Sequence, residues 1–246
     1  MSQHTILITG ASGGIGSACA LQLAQPGHRL VLHCHRHQEA AEKTAAQCRA
    51  KGAEAMVLSA DIAVSDEVNA LFCKAEQRFG NIDILVNNAG VAVYGLIQEI
   101  EDDQWNRVFA TNVNGMFYCV RRALPAMISQ KWGRIINISS MWGQVGASCE
   151  VLYSATKGAV DAFTKAAAKE LIYSGITVNA VSPGVVDTAM MRAMGEETCQ
   201  SVVEEIPLGR ALQPEEIARW VAHFASDASD AVTGQILGIN GGMEIH

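Results

Sequence analysis

The chain has 246 residues, 49% of them apolar and 17% charged, with a formal net charge of −7. That suits one large domain with a sizeable core and excludes a disordered chain, while an acidic chain without a run of Lys or Arg makes nucleic acid a poor match as partner. No apolar run approaches a membrane span, and the one entered at Thr5 ends at Thr9, too short for a signal peptide. Seven cysteines (19, 34, 48, 73, 119, 149 and 199) are scattered without a Cys-x-x-Cys, which fits reduced thiols in a cytoplasm, and no metal site is expected.

Thr5-Ile6-Leu7-Ile8-Thr9 predicts a strand buried on both faces. It runs into Gly10-Ala11-Ser12-Gly13-Gly14-Ile15-Gly16, and residues 17–25 then predict a helix stopped by Pro26-Gly27. Strand, glycine loop and helix N-terminus together offer backbone N–H groups to a phosphate, so the loop reads as a pyrophosphate site or else as a structural turn. A second strand, 29–33, ends in Cys34-His35-Arg36-His37. About 20 residues past the glycines a dinucleotide fold meets the adenosine ribose, where an acid would bind the 2′-hydroxyl of NAD. Here no acid precedes Glu39, and His35 and Arg36 suit a 2′-phosphate, which favours NADP(H) over NAD(H). A solvated basic turn is the alternative, and Gly13 stands where a second basic residue would have added a partner for that phosphate.

A helix over 38–51 leads to a strand, 54–59, closed by Asp61-Ile62. Another helix, 66–79, leads to a strand, 82–86, and to Asn87-Asn88-Ala89-Gly90. Asp61 either reaches an adenine edge or caps the next turn. The Asn-Asn-Ala-Gly stretch either lets a ligand come close to the backbone or merely turns the chain. Residues 102–130 predict one long helix, interrupted at Thr111-Asn112-Val113-Asn114-Gly115 in the way that marks a bend or a functional intrusion. A satisfied core amide is the other reading of Asn112. A strand over 134–139, a helix over 155–173 and a strand over 176–181 follow, then the loop Ser182-Pro183-Gly184-Val185-Val186-Asp187-Thr188. The Met-rich residues 189–213 read as a helical lid or as peripheral packing, before a helix from Pro214 to Ala225 and a last strand over 234–239. This alternation predicts a single doubly wound, Rossmann-type α/β domain over 1–246, with a seven-stranded, mostly parallel sheet and helices on both faces.

Tyr153 and Lys157 are four apart in a helical segment, hence one turn apart on one face. A nearby ammonium favours the phenolate and would bring the tyrosine towards acid–base use. Ser140, at the end of the strand before, is placed to meet Tyr153 over one substrate carbonyl. Taken alone, a Tyr-x-x-x-Lys is more often a surface tyrosine and a solvated lysine.

Thr9 to Gly16, Asn87-Asn88-Ala89-Gly90, Asn112, Ser140, Tyr153 with Lys157, and Pro183-Gly184 occur in one order along the whole chain. The chain thereby resembles the short-chain dehydrogenase/reductases, in particular their 3-oxoacyl-[acyl-carrier-protein] reductase (FabG-like) branch. The resemblance implies that Tyr153 is general acid, that Ser140 donates a hydrogen bond to the carbonyl oxygen, and that Lys157 holds the nicotinamide ribose and lowers the Tyr153 pKa. It implies that Asn112 positions a water linking Lys157 to solvent. The pyrophosphate would lie on Gly10, Ser12, Gly13, Gly14, Ile15 and Gly16, the adenine at Asp61 and Ile62, and the adenosine side at Asn88, Ala89 and Gly90. Pro183 and Gly184 belong to the same cofactor site, Val186 and Thr188 would sit at the nicotinamide carboxamide, and His35-Arg36 resembles the family's NADP-selecting turn.

Two departures bear on substrate. Carrier-protein reductases present basic residues to an acidic acyl carrier protein; Lys131 falls at one such position, but Ser174 replaces the other. The loop from Met141 to Glu150 is similar to that of a bacterial subgroup reducing the 5-aminopentanone modification on a lysine of elongation factor P. Trp142 and Glu150 then read as an ammonium site, or else as a packing indole and a helix cap. The resemblance implies an NADPH-dependent carbonyl reductase of a carrier-bound or free ketone, by default a 3-oxoacyl thioester, with reduction of that aminoketone, a hydroxysteroid or sugar-type alcohol dehydrogenase, and a nucleotide-sensing regulator as alternatives. Segments 102–130 and 150–173 carry apolar residues on more than one face, among them Trp105, Val108, Phe117, Val120, Val160, Phe163 and Leu171, and residues 237–246 are apolar and small. With the relatives' habit, that predicts a homotetramer, with a dimer as fallback.

Overall fold

The computed structural model describes residues 3–193 and 195–245; Met1, Ser2, Met194 of the expected lid and His246 of the expected C-terminal interface lie outside the described residues. Strands β1 (Thr5–Ile8), β2 (Arg29–Cys34), β3 (Glu54–Ser59), β4 (Ile84–Asn87), β5 (Gly133–Ile138), β6 (Ile176–Pro183) and β7 (Ile236–Ile239) form one seven-stranded sheet in the order 3-2-1-4-5-6-7. Every pairing is parallel, where a mostly parallel sheet was expected. The crossovers are the reason: each strand but the last is followed by a helical connection that returns the chain to the same end of the sheet.

Those helices are α1 (Gly14–Leu23), α2 (Gln38–Ala50), α3 (Ser65–Phe79), α4 (Asp102–Phe109), α5 (Gly115–Gln130), α6 (Trp142–Val145), α7 (Val151–Leu171), α8 (Ala189–Arg192), α9 (Glu196–Glu204) and α10 (Pro214–Ala225). Alternate strand residues feed two separate cores. Ile6, Ile8, Leu30, Leu32, Val86 and Ile136 face α1, α2 and α10, whereas Leu7, Val31, Leu85, Ile135 and Val178 face α3, α5 and α7. Because both faces are covered, strands such as β1 and β6 are buried at every position, which is why they read as continuous apolar runs.

The expected long helix over 102–130 is two α-helices joined by a π-turn, Ala110–Asn114, in which the Gly115 N–H reaches back to the Ala110 carbonyl. The cause is Asn112, whose amide is drawn inward to bond the Val91 backbone and Thr156. Gly115 follows because a Cβ there would come within 2.8 Å of Ile62 Cδ1. Among the described residues no helix is long and apolar enough to cross a membrane, and none of their His, Cys, Asp and Glu form a group of three or more able to hold a metal.

The sheet order reverses between β1 and β4, since β2 and β3 lie to one side of β1 and β4 to β7 to the other. A crevice opens outside the carboxyl ends of strands at such a point. The glycine loop and Asn88-Ala89-Gly90 both empty into it.

Candidate active site

The glycine loop is held by contacts that tolerate no side chain at its two ends. Gly10 is left-handed at φ +69°, and a Cβ on Gly16 would lie 2.2 Å from the Gly10 carbonyl oxygen. Gly13 heads α1 with no side-chain cap, so the first N–H groups of the helix point into the crevice without a side-chain acceptor. A Cβ on Gly14 would meet the Thr188 methyl at 3.2 Å, so the loop after β6 faces the glycine loop across the site. An open helix N-terminus beneath a tight glycine loop fits a pyrophosphate.

Several expected ligand groups are already committed within the chain. Asn88 Nδ2 donates to the carbonyls of Thr9 at 2.9 Å and Gly10 at 3.1 Å, and Thr9 Oγ1 accepts from the N–H groups of Asn88 and Ala89, both at 3.0 Å. These residues shape the loop, leaving backbone rather than the Asn88 amide to face a ligand. Asp61 Oδ1 accepts from Ala63 N–H at 3.0 Å, the turn-capping alternative, while Oδ2 lies 3.9 Å from His35 Nε2. Arg36 stays exposed at the same turn. The Ile62 and Val186 side chains pack into the two cores.

Ser140, Tyr153 and Lys157 do come together. Gly143 in α6 makes this possible: a Cβ there would come within 2.6 Å of the Lys157 carbonyl carbon and 2.9 Å of Gly158 N, so its absence lets α6 lie directly on the α7 backbone. Ser140 Oγ accepts from Trp142 N–H at 3.3 Å, and its hydroxyl faces the Tyr153 phenol. Lys157, 4% exposed, donates from Nζ to the Ile138 carbonyl at 2.8 Å and stands 5.4 Å from the Tyr153 ring centroid.

The electrostatics differ from the expectation that Lys157 lowers the Tyr153 pKa. Burial pushes the phenol up, the Glu150 carboxylate pushes it further, and only the Ser140 hydroxyl pulls it down. Burial also brings Lys157 down to about 8, against a raising influence from Asp161. Desolvation outweighs the mutual benefit of a phenolate and an ammonium when neither is screened by water. In this state Tyr153 is a protonated donor.

Asn112, 3% exposed, uses both Nδ2 hydrogens, on the Val91 carbonyl at 2.9 Å and Thr156 Oγ1 at 3.0 Å, and its Oδ1 accepts from Val91 N–H at 2.8 Å. A water at this residue would therefore be held by an acceptor, on Oδ1 or on a carbonyl loosened by the π-turn. A Cβ on Gly90 would lie 3.3 Å from Asn112 Oδ1 and 3.7 Å from Lys157 Nζ, so this glycine keeps the gap between them open.

Glu150 precedes α7 but makes no side-chain cap bond, against the capping alternative. Its half-buried carboxylate is pushed up by desolvation and faces Tyr153. Trp142 is tied to the site through its backbone. Lys131 and Ser174 sit elsewhere: they precede β5 and β6, at the amino ends of the strands, while Ser140 and Tyr153 lie at the carboxyl end. Thr156, which takes the Asn112 amide and donates to the Tyr153 carbonyl at 2.8 Å, is part of the site and was not foreseen. Its place inside Tyr-x-x-x-Lys, one helical turn below the tyrosine, was the available signal.

Comparison with known proteins gives the same family as the motifs. A family model described as short chain dehydrogenase matches residues 4–198. Over 237 residues the chain is 41% identical to 3-oxoacyl-[acyl-carrier-protein] reductase FabG of Staphylococcus aureus (strain Mu50 / ATCC 700699), covering 96% of each chain. It is 42% identical over 239 residues to the uncharacterized oxidoreductase YmfI of Bacillus subtilis (strain 168), covering 97% of this chain and 98% of that one. Nodulation protein G of Azospirillum brasilense is 39% identical over 243 residues, 99% of both.

Proposed function

The chain belongs to the short chain dehydrogenase family, and we propose that it is a single-domain, cytoplasmic, NADPH-dependent carbonyl reductase acting on a 3-oxoacyl thioester. The observation that carries this is the meeting of Ser140, Tyr153 and Lys157 beside the glycine loop, at the switch point of the sheet. The activity named for the Staphylococcus aureus relative supports the substrate class.

The loop from Gly10 to Gly16 and the α1 N-terminus would hold the pyrophosphate, the Asp61-Ile62 backbone the adenine, and Arg36 a 2′-phosphate. When bound, the nicotinamide supplies a hydride. The protein does the rest. Ser140, its oxygen already accepting from Trp142, turns its proton to the substrate oxygen and stabilises charge there as it develops. Tyr153, kept protonated by burial, gives its proton to that oxygen. Lys157 and a water held at Asn112 refill the phenol from solvent. Residues 189–193 and 195–213 would cover the pocket.

A second reading rests on Glu150. A half-buried carboxylate that faces the catalytic tyrosine and caps nothing suits a substrate carrying an ammonium, such as an aminoketone on a protein lysine. Cofactor oxidation with a 3-oxoacyl thioester and with an aminoketone-modified elongation factor P decides between them. Turnover of the thioester by wild type and Glu150→Gln alike supports the first. Turnover of the aminoketone alone, lost in Glu150→Gln, supports the second, and no turnover of any ketone refutes the enzyme reading. Arg36→Ala should weaken NADPH by about tenfold or more and leave NADH nearly unchanged, since a charge-assisted bond to the 2′-phosphate is the only one removed. Equal weakening of both would assign Arg36 a different role.

A further inference from the structure

His33 lies within β2 and is 1% exposed, and its ring joins two loops of the cofactor site. Nδ1 is 3.2 Å from the backbone nitrogen of Gly10, and Nε2 is 2.9 Å from the carbonyl oxygen of Ala60. An N–H can only donate and a carbonyl can only accept, so Nδ1 must be bare and Nε2 must carry the proton. The neighbours thus select one neutral tautomer. The His33 backbone adds to the same contact, its carbonyl accepting from Ala11 N–H at 2.8 Å.

Gly10 is gripped from the other side as well, its carbonyl accepting from Asn88 Nδ2 at 3.1 Å. The left-handed peptide of Gly10 is therefore clamped at its N–H by a side chain of β2 and at its C=O by one that follows β4. Ala60 immediately precedes the Asp61-Ile62 pair. We propose that His33, as the neutral Nε2–H imidazole, is the positioning residue that ties the phosphate-binding glycine loop to the adenine-binding turn after β3, so that the two halves of a dinucleotide find one prearranged site. This rests on the dinucleotide reading of the crevice. A loop ordered before binding loses less entropy when the ligand arrives, and so the contact tightens binding without touching the ligand.

Acidity should undo it. Burial, and the nearby His35 on the same chain segment, hold His33 below the ordinary histidine range, against the bond to Ala60 and the carboxylate of Asp61 after β3. A proton on Nδ1 would be directed at the Gly10 N–H and break that bond.

The test uses the whole protein and two variants. His33→Phe keeps a ring and removes both nitrogens; His33→Asn retains an oxygen close to the Nδ1 position and cannot protonate. By fluorescence titration, His33→Phe should bind NADPH and NADH both about tenfold or more weakly, since an unmade buried bond costs about that much, while kcat at saturating cofactor stays nearly unchanged. His33→Asn should recover part of the affinity and lose the acid-side decline expected of wild type below the ordinary histidine pKa. If His33→Phe does not fold, nitrogen-15 NMR of the wild-type ring decides: Nε2–H with bare Nδ1 at neutral pH is expected. An Nδ1–H tautomer, a protonated ring at neutral pH, or a folded His33→Phe that binds NADPH like wild type would overturn the role. If wild type bound neither nucleotide, the dinucleotide reading itself would fall, which is a separable result.

Discussion

Tyr153 and Lys157 share one helical face, yet each is governed more by what it has lost to burial than by the other. The phenol is pushed up by desolvation and by Glu150, and the ammonium comes down to about 8. For Lys157 the sign of the stability effect follows. The unfolded lysine keeps its proton up to about 10.5, whereas the folded one keeps it only below about 8, so between those values the unfolded chain binds more protons. Stability contributed by this group therefore rises with pH across that window. Chemical denaturation of the cofactor-free protein at pH 8 and pH 10 should give wild type a more positive change in stability than Lys157→Met, because the raised Tyr153, Cys19, Cys48 and Cys119 push both proteins the other way. Equal pH dependence in the two proteins would mean that Lys157 is hydrated. Tyr153→Phe, which removes the proton donor and keeps the ring, should bind NADPH normally and lose about 10²–10⁴ in turnover. A variant reducing ketones at the wild-type rate would show that the proton comes from elsewhere.

Elements meet here at glycines, and these contacts set catalytic distances. Gly143 lets α6 lie on the backbone of α7, and the start of α6 continues directly from Ser140. Gly143→Ala would drive a Cβ into Lys157 and Gly158 backbone, which cannot give way as a flexible side chain would. The expected result is kcat reduced by about tenfold or more with NADPH affinity retained, because the strain separates Ser140 from Tyr153 and leaves the glycine loop alone. Loss of NADPH binding instead would place the main damage in the cofactor site. The π-turn at 110–114 shows the same logic in reverse. There a polar side chain, Asn112, bends an otherwise good helix to satisfy its amide inside the core.

Across the whole molecule, the two-sided apolar character of 102–130 and 150–173 resolves into an inner and an outer set. Val120, Val160 and Leu171 are buried in the core over the sheet and Val108 is buried as well, while Trp105 is 41% and Phe117 40% exposed on the outer side. An outer apolar face on a long helix suits burial against a second copy, and we propose a homotetramer built from such dimers. Phe117→Glu with Trp105→Glu should shift light scattering towards smaller species at micromolar concentration. An unchanged assembly would exclude this face. Lys131 lies at the sheet end opposite Ser140, so a carrier held there would be far from the site in its own chain.

Period and punctuation in the sequence were enough for the strands, the helix α10 from Pro214 to Ala225 and the glycine loop, while the Ser140, Tyr153 and Lys157 set needed the family resemblance as well. Those features are local: a β-branched run buried on both faces, a glycine that must be left-handed, a four-residue spacing on one helix. Their meeting at one crevice follows from strand order, which alternation with right-handed crossovers nearly dictates. What needed the tertiary structure were contacts between residues far apart in the chain. Asn88 bonds residues 78 and 79 positions away, so its amide is structural where a ligand contact was expected. His33, 23 residues from Gly10 and 27 from Ala60, carries no sign of its role in a strand where any apolar residue would fit the pattern. The reversal at Tyr153 has the same origin. Spacing puts a lysine beside a tyrosine, but the sign of the shift depends on how much water the surrounding fold removes, and that is a property of the packed molecule.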